Sequence, residues 1–114
     1  MNSQNHKIEL KVIYRNDTKC RIPKKLVESV ILDVLNKHNK SGKFEIGVLF
    51  TNQQNVKELN KKYRNKNSAT TVLSFPLYDN ILLGDIVICP ELAGDNIESL
   101  IKHSTLHLLG IHHK

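Results

Sequence analysis

The chain has 114 residues, enough for one domain with a modest core. Its 39% apolar and 25% charged residues exclude a disordered tail and a membrane-embedded chain, and Lys and Arg outnumber Asp and Glu by 17 to 11, for a net charge of +6. That sign favours a polyanionic partner such as RNA, although a basic balance alone does not establish one.

The first seven residues lack an apolar signal core, and no stretch approaches the roughly 20 apolar residues of a membrane span. A cytoplasmic protein with no membrane partner is expected. Cys20 and Cys89 lie far apart and fit no CxxC pattern, so two reduced thiols are expected rather than a disulfide. With three Phe, three Tyr and no Trp, an aromatic stacking platform for single-stranded RNA is not expected.

Residues 7–14 alternate apolar and polar at Ile8, Leu10 and Val12, the pattern of a half-buried strand. Pro23 suits a first helical position. Behind it, Leu26, Val27, Val30, Ile31, Val34 and Leu35 keep helical spacing to about Lys37, and Ser41-Gly42 ends the element. Phe44 to Phe50 reads as a second strand. Thr51 or Asn52 can cap a second helix, marked by Val56, Leu59 and Tyr63 and ending near Arg64.

A polar loop follows at residues 65–68. Val72 to Phe75 is a short strand closed by Pro76, and residues 77–83 connect it, hairpin-fashion, to a strand over Gly84–Cys89 that Pro90 terminates. Asp95 and Glu98 resemble a capping box opening a last helix that runs to about Leu109. Ile97, Leu100, Ile101 and Leu108 share one face of it, while Leu106 and Leu109 point elsewhere, so burial from more than one direction is expected. The β-α-β-α-β-β-α order implies an α+β single domain: one mixed, mostly parallel four-stranded sheet with packed helices.

The last twelve residues hold four of the six histidines. His103 and His107, four apart, stack on one face of that last helix. Gly110 sits where a helix ends in a left-handed residue, and the chain then returns with His112 and His113. His103-x3-His107-x5-His113 can bring three imidazoles to one point and leave a fourth coordination position open, as in a catalytic zinc site. Such a site would also accept nickel, cobalt or copper. The alternative is a set of surface histidines at a frayed terminus, or residues continuing into a tag; the tag explanation fails for His103 and His107, which lie inside a patterned helix, and the apolar setting of the pair favours metal binding over the first. The position after His103 is Ser104, so the general-base glutamate of an HExxH metalloprotease is absent.

With these residues placed, the chain resembles the YbeY family of bacterial rRNA maturation factors and metal-dependent endoribonucleases. The family signature HGxLHLxGxDH is matched by His-Ser-Thr-Leu-His-Leu-Leu-Gly-Ile-His-His at residues 103–113. The blocks N-x-x-YR and T-[DN]-VLSFP are matched from Asn60 to Arg64 and from Thr70 to Pro76, and LGDI by Leu83-Gly84-Asp85-Ile86.

The resemblance implies that His103, His107 and His113 ligate one zinc ion and that Arg64 faces the phosphate of the substrate. A guanidinium is permanently charged and can fork onto phosphate oxygens, so the role is chemically apt. Read without the family, Arg64 is a solvated cation at a helix C-terminus. The resemblance further implies a single-strand-specific endoribonuclease for 16S rRNA 3′-end processing and ribosome quality control, with rRNA and the ribosome or its proteins as partners, and no DNA.

Thr70–Pro76 reads as architecture. Asp85 is either an acceptor orienting a histidine N–H or a residue bonding backbone in a Gly-Asp turn. Three positions depart from the pattern: Ser104 replaces glycine, Thr71 replaces Asp or Asn, and His112 replaces the aspartate before the last histidine, creating adjacent candidate ligands. Family members usually continue into a further helix, whereas this sequence stops one residue past His113. Two other readings compete: a metal-dependent hydrolase of another substrate, and a non-catalytic ribosome-assembly or RNA-binding factor with a structural zinc.

Overall fold

The computed structural model describes residues 7–77 and 79–111. Strand β1 (Ile8–Asn16), helix α1 (Lys24–Lys37), strand β2 (Gly42–Phe50), helix α2 (Gln53–Arg64), strands β3 (Val72–Pro76) and β4 (Leu82–Ile88), a single-turn helix α3 (Pro90–Ala93) and helix α4 (Ile97–Leu108) follow in chain order. The sheet order is β1-β2-β4-β3. β1 and β4 both run parallel to β2, and β3 is an antiparallel edge strand on β4. This is the expected mixed, mostly parallel α+β sheet.

The side-chain period of two divides the sheet into two faces. On one, Val12, Phe44, Ile46, Val48, Phe50, Ile86 and Ile88 form the main core with α1 and α4. On the other, Leu73 and Val87 join Cys89 and Val56 of α2 in a smaller cluster, with Leu49, Leu59 and Phe75 packed around it. α2 therefore covers the β3–β4 side of its face and leaves Ile13 on β1 54% exposed. The Tyr14 hydroxyl donates to the Ile22 carbonyl and ties β1 to the chain entering α1.

Several helix ends differ from expectation. Pro23 precedes α1 as its N-cap, with an extended ψ of 138°, and its carbonyl accepts the Leu26 N–H at 3.0 Å. α1 ends at Lys37 and is closed by Asn39, in left-handed conformation at φ 56°, with Lys40 N–H donating to Leu35 O and Asn39 N–H to Asn36 O. This is a Schellman closure by asparagine, which tolerates the left-handed region, so Ser41 and Gly42 are not needed to stop the helix. Asn52 caps α2 as expected, its side chain accepting from Asn55 N–H at 2.8 Å. The Asp95–Glu98 capping box does not form: Pro90 starts α3, Gly94–Asn96 makes a 3-10 turn, and α4 begins at Ile97 with no side-chain cap. Neither cysteine is disulfide-bonded; Cys20 is exposed and Cys89 buried.

Candidate metal helix and substrate-facing arginine

α4 is fixed by burial. Ile101, Thr105 and Leu108 form an i, i+4, i+7 stripe toward the core, and the Thr105 hydroxyl satisfies itself on the Ile101 carbonyl at 2.7 Å. Leu106 is buried on a different side, as expected for a helix enclosed from more than one direction. Ser104 is 4% exposed, so the position where the family pattern has glycine is a tight contact that a hydroxymethyl group still fits.

His103 and His107 lie one turn apart on the exposed face of the same helix. The helix then closes with a Schellman motif: Gly110 at φ 78° donates to His107 O, and Ile111 N–H to Leu106 O at 2.9 Å. The chain is thereby turned back immediately after the second histidine. His112 and His113 fall outside the described residues, so the expected third ligand does too. Among the described residues no group of three His, Cys, Asp or Glu is placed to hold a metal. Two imidazoles on one exposed helical face are the right donors for zinc, and they supply half of a tetrahedral set.

Arg64 is exposed and is the last residue of α2. Asn65 follows at φ 57° and ends the helix. The buried amide of Asn60 donates to Ser68 O at 2.9 Å, and Lys66 N–H returns to Asn60 O, so the loop after Arg64 is pinned to the helix. α2 and α4 pack on β3 from opposite faces of the sheet. The edge strand is thus the element shared by the arginine-bearing and histidine-bearing helices. Pro76 is tolerated in it because an edge strand has one row of unpaired donors to lose.

Neither alternative for Asp85 holds. β4 carries a bulge at Leu83, since Glu45 pairs with Leu82 and Ile46 with Gly84. Gly84 then faces Leu108 of α4, while Asp85 points to the opposite face, with the sheet between it and the histidines. There its carboxylate lies over Gly47 and borders a groove of about 490 Å³ whose walls include Ile13, Leu59, Tyr63 and Phe75. The sequence reading missed this groove; the signal was Ile13, an apolar residue out of phase with the alternation of β1.

The family model described as endoribonuclease YbeY matches residues 12–114. The chain belongs to the YbeY family. It is 37% identical to an endoribonuclease YbeY of Caldicellulosiruptor bescii, an alignment covering 78% of this chain and 73% of that relative. The endoribonuclease YbeY of Finegoldia magna is 36% identical, with 78% and 66% covered. A solution structure from Thermotoga maritima superposes with a TM-score of 0.53 at 26% identity, covering 86% of this chain and 64% of that one. The chain spans between about half and three quarters of the length of the curated YbeY relatives it matches. The matched region contains Arg64, His103 and His107.

Proposed function

We propose that this YbeY-family chain is a metal-dependent, single-strand-specific endoribonuclease acting in the cytoplasm on 16S rRNA 3′ ends, in ribosome maturation and quality control. The observation that carries the reading is the pairing of a YbeY family match over residues 12–114 with two exposed histidines one turn apart on α4. The net charge of +6 suits an RNA substrate.

In this reading His103 and His107 hold a zinc ion, with His113 as third ligand. When bound, the ion supplies Lewis acidity toward a phosphoryl oxygen and an attacking water. The chain's own contributions are positional and electrostatic. The stripe of Ile101, Thr105 and Leu108 holds α4 rigid, so both imidazoles are presented at fixed spacing. Arg64 places a permanent, forked positive charge against the scissile phosphate and stabilises the charge that develops on it. The Asn60–Ser68 bond holds the loop beyond Arg64 against α2.

The test is cleavage of a single-stranded RNA by the full chain with zinc. Arg64→Ala is expected to lower the rate about 100-fold or more. Unchanged cleavage in that variant would remove Arg64 from the site.

A further inference from the structure

α2 and the loop behind it carry Lys57, Lys61, Lys62, Arg64 and Lys66 against one carboxylate, Glu58, a local charge of +4 in a chain of net +6. All five cations are exposed. Among the described residues the ion pair formed is Arg15–Asp17, on β1 and beyond its end, and none of the five joins one. Glu58 receives the Gln54 amide, at 3.5 Å.

These cations are not spread evenly around the helix. At 100° per residue, Lys57, Lys61 and Arg64 fall at i, i+4 and i+7 and make one row, rising about 6 Å and then about 4.5 Å along the axis. Lys62 stands on another side, its ammonium 5.2 Å from the Tyr63 ring centroid. The flank bearing Glu58, Leu59 and Lys62 borders a groove shared with Asp17, Leu49 and Thr51, so it looks toward β1 and β2. The Lys57–Lys61–Arg64 row lies across the buried line of Val56 and Asn60 from that flank. It therefore runs along the outer side of α2, away from the flank on which Tyr63 meets Phe75, and ends at Arg64.

We infer that Lys57, Lys61 and Arg64 form a phosphate track that holds the backbone of a single RNA strand along the outer side of α2. Three exposed cations in line, none of them in an ion pair among the described residues, complement that polyanion. Lys57 and Lys61 bind and orient; Arg64 is where the track meets the site. The inference rests on the RNA-cleaving reading, and its test separates the two.

The test uses the full chain and a fluorescently labelled single-stranded oligoribonucleotide, with binding followed by anisotropy across a salt series and cleavage read on gels from the same samples. In Lys57→Gln/Lys61→Gln the slope of log affinity against log salt is expected to fall by about 1.4, at about 0.7 per lost phosphate contact. Lys62→Gln is expected to keep the parent slope. A slope untouched by the double substitution, or lowered equally by Lys62→Gln, overturns the track, as does an absence of RNA binding. Binding with the expected slope change but without cleavage leaves the track standing and sinks the endoribonuclease reading. Cleavage with an unaltered slope does the reverse.

Discussion

Gly47 and Asp85 face each other across β2 and β4, and the carboxylate of Asp85 fills the space that a side chain at position 47 would need. A Cβ built on Gly47 would lie 2.1 Å from Asp85 Oδ1. Gly84, one residue earlier, presses the other way: a Cβ there would lie 2.2 Å from the Phe75 carbonyl oxygen and 3.1 Å from Leu108 Cδ2. Two adjacent strand residues thus set the groove on one face and the seat of the histidine helix on the other.

The two glycines should respond differently to alanine. At Gly84 the obstacle is backbone and φ is 134°, a region essentially closed to L side chains, so Gly84→Ala should cost about 2 kcal/mol or more. At Gly47 the obstacle is the end of an exposed side chain that can rotate away, so Gly47→Ala should cost less than about 1 kcal/mol. That smaller cost should vanish in an Asp85→Ala background. Urea denaturation of the four variants reads this directly, and equal costs at the two glycines would refute it.

Asn60 offers a second check. Its buried amide holds Ser68, so Asn60→Ala should destabilise the chain by about 1–2 kcal/mol and speed proteolysis within residues 65–70. If the loop were held by other contacts, stability would fall without any gain in loop cleavage.

Asp79 gives a pH prediction. Its Oδ1 accepts from Ile81 N–H at 2.8 Å and Leu82 N–H at 3.0 Å, and these bonds, Ile81 first, hold the carboxyl below its ordinary value of about 3.9. A group depressed on folding stabilises the folded state above its unfolded pKa, and that contribution is lost as pH falls through the folded pKa. The carboxyl carbon of Asp79 should therefore titrate at lower pH folded than in urea. In Asp79→Asn this part of the acid dependence should disappear. A folded titration at or above the unfolded one would contradict the turn geometry.

Much of this architecture was legible in the residues. The alternation of Ile8, Leu10 and Val12 and the spacing from Leu26 to Leu35 mark a strand and a helix without tertiary knowledge. Gly110 announces the end of α4. What local pattern does not carry is register: the bulge at Leu83 decides that Gly84 faces the helix and Asp85 the groove, and it arises from pairing with β2. The start of α4 was hidden for a related reason. Asp95 and Glu98 have capping spacing, but Pro90 and Gly94, with φ 57°, build a separate turn first. For the candidate site, helical spacing singles out His103 and His107, and the family motif singles out Arg64. That the helices carrying them grip one edge strand from opposite faces required the fold.

The central claim, that the α4 histidines hold a metal on which RNA cleavage depends, is tested most directly by one paired measurement on the intact, tag-free chain: zinc content by elemental analysis and single-stranded RNA cleavage on the same preparations of parent and His107→Ala protein. The parent should carry about one ion per chain and cleave, and His107→Ala, exposed on the helix and so expected to fold, should lose both. Cleavage by His107→Ala at the parent rate would contradict the account.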